Sequence, residues 1–279
     1  MNISQIKRSL GAVALGAGLT FGVATQASAV AIFSVNHTPL SGVTGCVAAC
    51  PPGVGADFQA NLITGNSSTL LTRNPDNTVN GSGWINLTGF ALNNIATLPG
   101  VSRVGVDYQL WATFTYTLAP ISGTFGVAGS SYSVSSVSVA LYGQNGVGAT
   151  FTAADAVTNT NATVAAAAPQ LLGGGVGLGG VAGINNLGGA FFNSVITYQN
   201  TAFGDSFFVF PVPFYNFAFD EFNNTSQGIA IVGDRISVNQ ATGSIDFIGR
   251  LPEPGALALA GLALLGAGAA RRVARKSSK

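Results

Sequence analysis

In the stretch GVDYQLWATFTYTLA every second residue is apolar: Val106, Tyr108, Leu110, Ala112, Phe114, Tyr116 and Leu118 fall on one face. Asp107, Gln109, Trp111, Thr113, Thr115 and Thr117 fall on the other. Successive side chains of an extended chain point to opposite faces, so this period of two predicts a half-buried strand. SVSSVSVALYG repeats the signal, with Val137, Val139 and Leu141 alternating with Ser136, Ser138 and Ala140 before a turn at Gln144-Asn145-Gly146. AFFNSVITYQNT and FFVFPVPFYNFAF are rich in branched and aromatic residues, and Pro211 and Pro213 push the second toward an edge or an irregular crossing. RISVNQATGSIDFIG reads as a hairpin, with Ile236 and Val238 before a turn from Gln240 to Gly243 and Ile245 and Phe247 after it.

Between the two chain ends no long segment shows a helical period. Many short strands separated by Gly and Asn turns predict an all-β fold, an antiparallel β-sandwich of jelly-roll kind. A solenoid would need a fixed repeat of about 20 residues or more, and the chain has none. Residues 165–189, AAAAPQLLGGGVGLGGVAGINNLGG, are too glycine-rich for a regular element and too apolar for a solvated linker. An irregular Gly/Ala-rich packed loop is expected there, with a short helical turn at residues 165–168.

The ends differ in kind from the middle. Lys7 and Arg8 precede the apolar run LGAVALGAGLTFGVA, and Ala27-Ser28-Ala29 supplies the small residues of a cleavage site, so residues 1–29 read as a secretory signal helix cut after Ala29. At the other end, sixteen uncharged residues run from Gly255 to Ala270. As a helix they reach about 24 Å, short of the roughly 30 Å hydrocarbon core, so the segment spans only marginally. Arg271, Arg272, Arg275, Lys276 and Lys279 follow and hold that end on the cytoplasmic side. The preceding chain then lies outside the inner membrane.

Pro252-Glu253-Pro254, an apolar helix and Arg271-Arg272, in that order, resemble the PEP-CTERM sorting signal of exported bacterial proteins. The resemblance implies recognition by an exosortase, a membrane transpeptidase-like enzyme, with cutting near the Pro-Glu-Pro. The precursor is then anchored in the inner membrane, and the processed protein is at the cell surface or in the extracellular matrix. Three regions result: a signal peptide at 1–29, an extracellular β domain at 30–249, and a sorting signal with a transmembrane helix and basic tail at 250–279.

Charge within 30–249 differs from that of the whole chain. Arg73, Arg103 and Arg235 face nine carboxylates, so this region carries a net charge of −6 and no lysine, whereas the whole chain carries +1. Such a surface lacks the cationic patches that nucleic acid requires.

Candidate chemistry is sparse. His37 is the only histidine and stands seven residues after Val30, so a Ser-His-Asp hydrolase would rest on one peripheral base. Asp220 and Glu221 are adjacent and would point to opposite faces of a strand, a poor arrangement for the paired carboxylates of glycoside hydrolysis. Cys46 and Cys50, the only thiols, are bound for an oxidising space and are a candidate disulfide, a local clip before Pro51-Pro52. A zinc site would need His37 as a third ligand from a separate segment, and no Asp-x-Asp-x-Asp-Gly calcium loop occurs. No metal and no cofactor is assigned. Trp84, after Gly-Ser-Gly, and Trp111, on the polar face of its strand, are candidate sugar contacts, with burial as the competing reading.

GADFQANLITGNSSTLLT, YQLWATFTYT, GGAFFNSVITY, PFYNFAFDEFNNTSQG and ISVNQATGSIDF are similar to the flocculation-associated branch of PEP-CTERM proteins. That resemblance implies a non-enzymatic surface or matrix protein that retains extracellular polysaccharide and promotes cell aggregation, in flocs or biofilm. A carbohydrate-binding module and a secreted enzyme are the alternatives. CVAACPP, residues 46–52, is not a feature of that branch.

Overall fold

The computed structural model describes residues 31–43, 57–215, 218–223 and 228–247, with the backbone path alone at 218–223. In chain order the elements are β1 (Phe33–Asn36), α1 (Thr38–Ser41), β2 (Asp57–Ala60), β3 (Leu62–Arg73), β4 (Val79–Leu92), β5 (Ile95–Ala96), α2 (Pro99–Ser102), β6 (Tyr108–Ser122), β7 (Ser131–Asn145), β8 (Thr150–Thr152), β9 (Thr163–Ala165), β10 (Gln170–Ile184), β11 (Ala190–Asn200), α3 (Ala202–Phe207), β12 (Phe208–Phe210), β13 (Ala218–Asn223), β14 (Ile229–Val232) and β15 (Arg235–Asp246). The predicted alternation is realised on β6 and β7, where Tyr108, Leu110, Phe114, Val139 and Leu141 are buried and Thr115, Ser136 and Ser138 are exposed. Val106, exposed in the turn before β6, and Trp111, buried on the opposite face, depart from it.

Strands β3, β4, β6, β7, β10, β11 and β13 pair antiparallel, each with the next. β15 then pairs with β13, through Phe222↔Gly243, and with β3, through Ile245↔Ile63. The path closes on itself as an eight-stranded up-and-down barrel, with β14 and β5 added alongside β15 and β4. Closure pairs both long sides of β15, one with β3 and one with β13 and β14.

The antiparallel all-β class is as expected, and opposite walls face each other across one core as in a sandwich. Tyr116 of β6 meets Phe192 of β11 there, with ring centroids 4.6 Å apart. The jelly-roll order is not what forms. A jelly roll needs a strand that returns by a long connection to lie beside the first, whereas here consecutive barrel strands are neighbours. Tight turns impose this, with Asn77 (φ 65°) between β3 and β4 and Gly188 (φ 85°) between β10 and β11.

Residues 165–189 correct the expected irregular loop. They supply β10, a 15-residue strand hydrogen-bonded to β7 on one side and β11 on the other. Ala165 ends β9 rather than starting a helical turn. Missing side chains are what admit the strand: a Cβ on Gly173 would lie 2.3 Å from the Tyr198 hydroxyl, and one on Gly177 would lie 2.0 Å from Val137 Cγ1. Neighbouring strands bring the bulk and β10 leaves the space, so tertiary pairing overrides local propensity.

Where a hairpin is expected from Arg235 onward, residues 235–246 form one continuous strand, β15. Gln240, at φ 58°, makes a bulge between Asn239 and Ala241 in the pairing with β3, and the chain does not reverse.

One end of the barrel is plugged. The small sheet β12-β1-β2 brings Phe33 against Phe247 (4.8 Å between centroids), and Phe58 against Phe90 at 5.0 Å. Leu40 of α1 presses on Gly143, where a Cβ would approach it to 2.4 Å. α3 is capped by Thr201, whose hydroxyl accepts from the Gly204 amide at 3.1 Å. The signal helix, the Ala27 and Ala29 site, Cys46 and Cys50, and the sorting segment with its transmembrane helix, Pro252, Glu253, Pro254, Arg271 and Arg272, lie outside the described residues.

Candidate functional site

Residues 146–169 link β7 to β10 and cross the outer face of the barrel as a strap that contains the β8–β9 hairpin. Trp84 and Trp111 both point outward, yet they are only 7% and 2% exposed, because the strap covers them. Trp84 Nε1 donates to the Thr152 carbonyl at 2.8 Å, and its ring lies 5.0 Å from that of Phe151. Trp111 stacks on Tyr142, with centroids 5.8 Å apart and planes at 18°. This corrects the sugar-contact expectation: the two indoles hold the strap and offer no platform to a ligand.

A polar knot fixes the strap farther along. Ser68 Oγ donates to Asn239 Oδ1 at 2.5 Å and accepts from the Ala154 amide at 2.7 Å, while Asn239 Nδ2 donates to the Ala154 carbonyl at 2.9 Å. Leu70, Ala154 and Ala156 form a second apolar cluster beneath it. Asp155 shapes the next turn by accepting from the Val157 amide and the Thr158 hydroxyl, both at 2.8 Å. The Thr158 hydrogen bond, then the backbone one, holds that carboxyl below its ordinary range.

Beside the strap the outer face is bare and concave. A groove of about 590 Å³ crosses β3, β4, β6, β7 and β10, with Asn161 of the strap on its rim. Ser82, Thr115, Ser136 and Ser138 supply hydroxyls along its floor, and Asn80 accepts from Thr117 at 3.1 Å. Val176, 59% exposed, adds an apolar step. No charged side chain lines the groove. Rows of neutral hydroxyls with an exposed aliphatic step suit a neutral, polyhydroxylated ligand better than an ionic one. Thr115, Thr117, Ser136 and Ser138 were visible in the sequence as the polar half of the β6 and β7 alternation, whereas Asn80, Ser82, Asn161 and Val176 carried no such signal. Which strands bring their polar halves together was not.

The other candidates fall elsewhere. His37 is 1% exposed at the plugged end, with Nδ1 2.9 Å from Ser41 Oγ. Burial, followed by the nearby Arg103 guanidinium, holds its pKa below the ordinary value. Arg103 pairs with Asp107 and Arg73 with Asp234. Asp220 and Glu221 lie on β13, far in sequence from any groove residue. Among the described residues no group of three or more His, Cys, Asp or Glu side chains is placed to hold a metal ion. No helix among them is long and apolar enough to cross a membrane. On β6 and β7 the apolar side chains Leu110, Phe114, Val139 and Leu141 are buried, while Thr115, Ser136 and Ser138 are exposed.

No protein-family model, no curated protein and no solved structure matches this chain.

Proposed function

We propose that this chain is an exported surface or matrix protein, sorted through its Pro252-Glu253-Pro254 tail by an exosortase, whose β domain retains exopolysaccharide and promotes cell aggregation. The observation that carries the polysaccharide part is the uncharged, hydroxyl-lined groove on the outer face. A neutral polysaccharide exchanges hydrogen bonds with water for hydrogen bonds with such a surface, at a net gain of only about 0.5–1.5 kcal/mol each. One domain then binds weakly, and many copies on one cell hold a long chain by avidity. Display at the surface is therefore part of the function, which is what the Arg271-Arg272 tail supports. The groove offers no carboxylate or imidazole as acid or base, which favours retention over hydrolysis.

The test is complementation of a deletion strain with three genes: wild type, a chain stopped after Gly249, and the Ser82→Glu/Ser138→Glu double variant. Wild type restores flocs, and the other two leave cells planktonic while polysaccharide is still made. Full rescue by the truncated chain would remove sorting from the function. Full rescue by the double variant would remove the groove, and loss of polysaccharide synthesis on deletion would replace adhesion with an assembly role.

A further inference from the structure

The barrel interior is plugged with aromatic rings at one end and hollow at the other. Under the connection from β6 to β7 lies a cavity of about 60 Å³, and β3, β4, β6, β7, β10, β11 and β15 all contribute to its wall. One water needs about 10–15 Å³ and two to four polar partners. The volume is sufficient, but the wall is almost entirely apolar, with Tyr116, Phe192, Ile236 and Ala241 among its lining. Ser67 is already committed, donating to the Ala241 carbonyl at 3.3 Å. Ser130 is different: it lines the same cavity, is 2% exposed, and its Oγ has no hydrogen-bond partner. An unpaired buried hydroxyl is costly, so its presence against a hollow apolar space is informative.

Phe125 stands at the mouth. Phe125, in the β6–β7 connection, is half-buried against the core, and the Arg73 guanidinium sits 5.5 Å from its ring centroid. Arg73 is in turn paired with Asp234 across the rim. Gly123, Gly126 and Gly129, at φ 81°, 77° and 84°, shape the loop that carries Phe125.

We propose that this end of the barrel binds a small uncharged amphiphile, with a short alkyl group in the cavity and one hydroxyl hydrogen-bonded to Ser130 Oγ, admitted by displacement of Phe125. Mouths of small β-barrels are recurrent sites for such ligands. The site is on the inside of the sheet, separate from the outer groove, and does not depend on the polysaccharide reading.

The probe is 1-hexanol, titrated into the full chain and followed by calorimetry and by the methyl NMR signals of Ile236 and Ala241. Saturable one-to-one binding is expected, and hexane-1,6-diol, polar at both ends, binds at least tenfold more weakly. Ser130→Ala lowers 1-hexanol affinity several-fold and leaves toluene affinity unchanged. Ala182→Val, which adds volume at the wall, weakens both, with folding checked by circular dichroism. Non-saturating heats with wild type, or equal affinity of wild type and Ser130→Ala for 1-hexanol, would overturn the assignment.

Discussion

Trp84 donates its indole hydrogen to the carbonyl of Thr152, 68 positions away in the chain, at 2.8 Å. That bond, with the Phe151 ring packed at a tilt of 58° against the same indole, ties the strap to the outer wall of the barrel, and Asn161 of the strap stands on the rim of the groove. Trp84→Phe keeps most of the apolar contact and leaves the Thr152 carbonyl unpaired, a loss of about 1–3 kcal/mol. Trp84→Ala also empties the site under the strap and costs about 3–5 kcal/mol. Urea unfolding of both variants measures the order, and a larger loss in Trp84→Phe than in Trp84→Ala would contradict this role.

Inside the barrel, Gly81 lies beneath the Tyr116 ring, where an added Cβ would stand 2.2 Å from it. Gly81→Ala is therefore expected to cost about 1–3 kcal/mol through overpacking. Tyr116→Leu removes the obstructing ring, so in the double variant the Gly81→Ala penalty shrinks. A double-mutant cycle by chemical denaturation reads that coupling. Simple additivity would mean that the ring had moved aside.

His37 links stability to pH. Its folded pKa lies below the ordinary 6.5, chiefly because burial disfavours the imidazolium. The unfolded chain then binds the proton more readily than the folded one. Its contribution is complete above about pH 6.5 and declines as pH falls from there toward the depressed folded value. Melting temperature should drop over that window in wild type and drop less in His37→Asn, when the two are compared at matched ionic strength. Parallel profiles for the two proteins would remove His37 from the linkage.

Mass spectrometry of surface-extracted protein should find a chain that starts near Val30 and ends near Pro252-Glu253-Pro254. Recovery of Arg271 and Arg272 on surface material would refute processing of the tail.

The sequence by itself determined that the middle of the chain is antiparallel β and which face of β6 and β7 turns inward, because a period of two is a local property of an extended backbone. It also showed the unequal distribution of charge, with most of the basic residues in the terminal segments. Tertiary structure alone decided the rest. Residues 170–184 are a strand because Tyr198 and Val137 occupy the room their glycines leave, and that room does not exist until β7 and β11 flank them. Trp111 alternates with polar residues and Trp84 follows Gly-Ser-Gly, so the sequence left exposure and burial open for both, and it is the strap from residues 146–169 that buries them. Residues 235–246 stay in one strand, although their turn-forming Gln240 to Gly243 reads as a reversal, because β3 pairs with the chain on both sides of the bulge. Closure of the barrel depends on β15 meeting both β3 and β13. Such contacts lie between residues far apart in the chain, and alternation along one strand carries no information about which distant strand completes it.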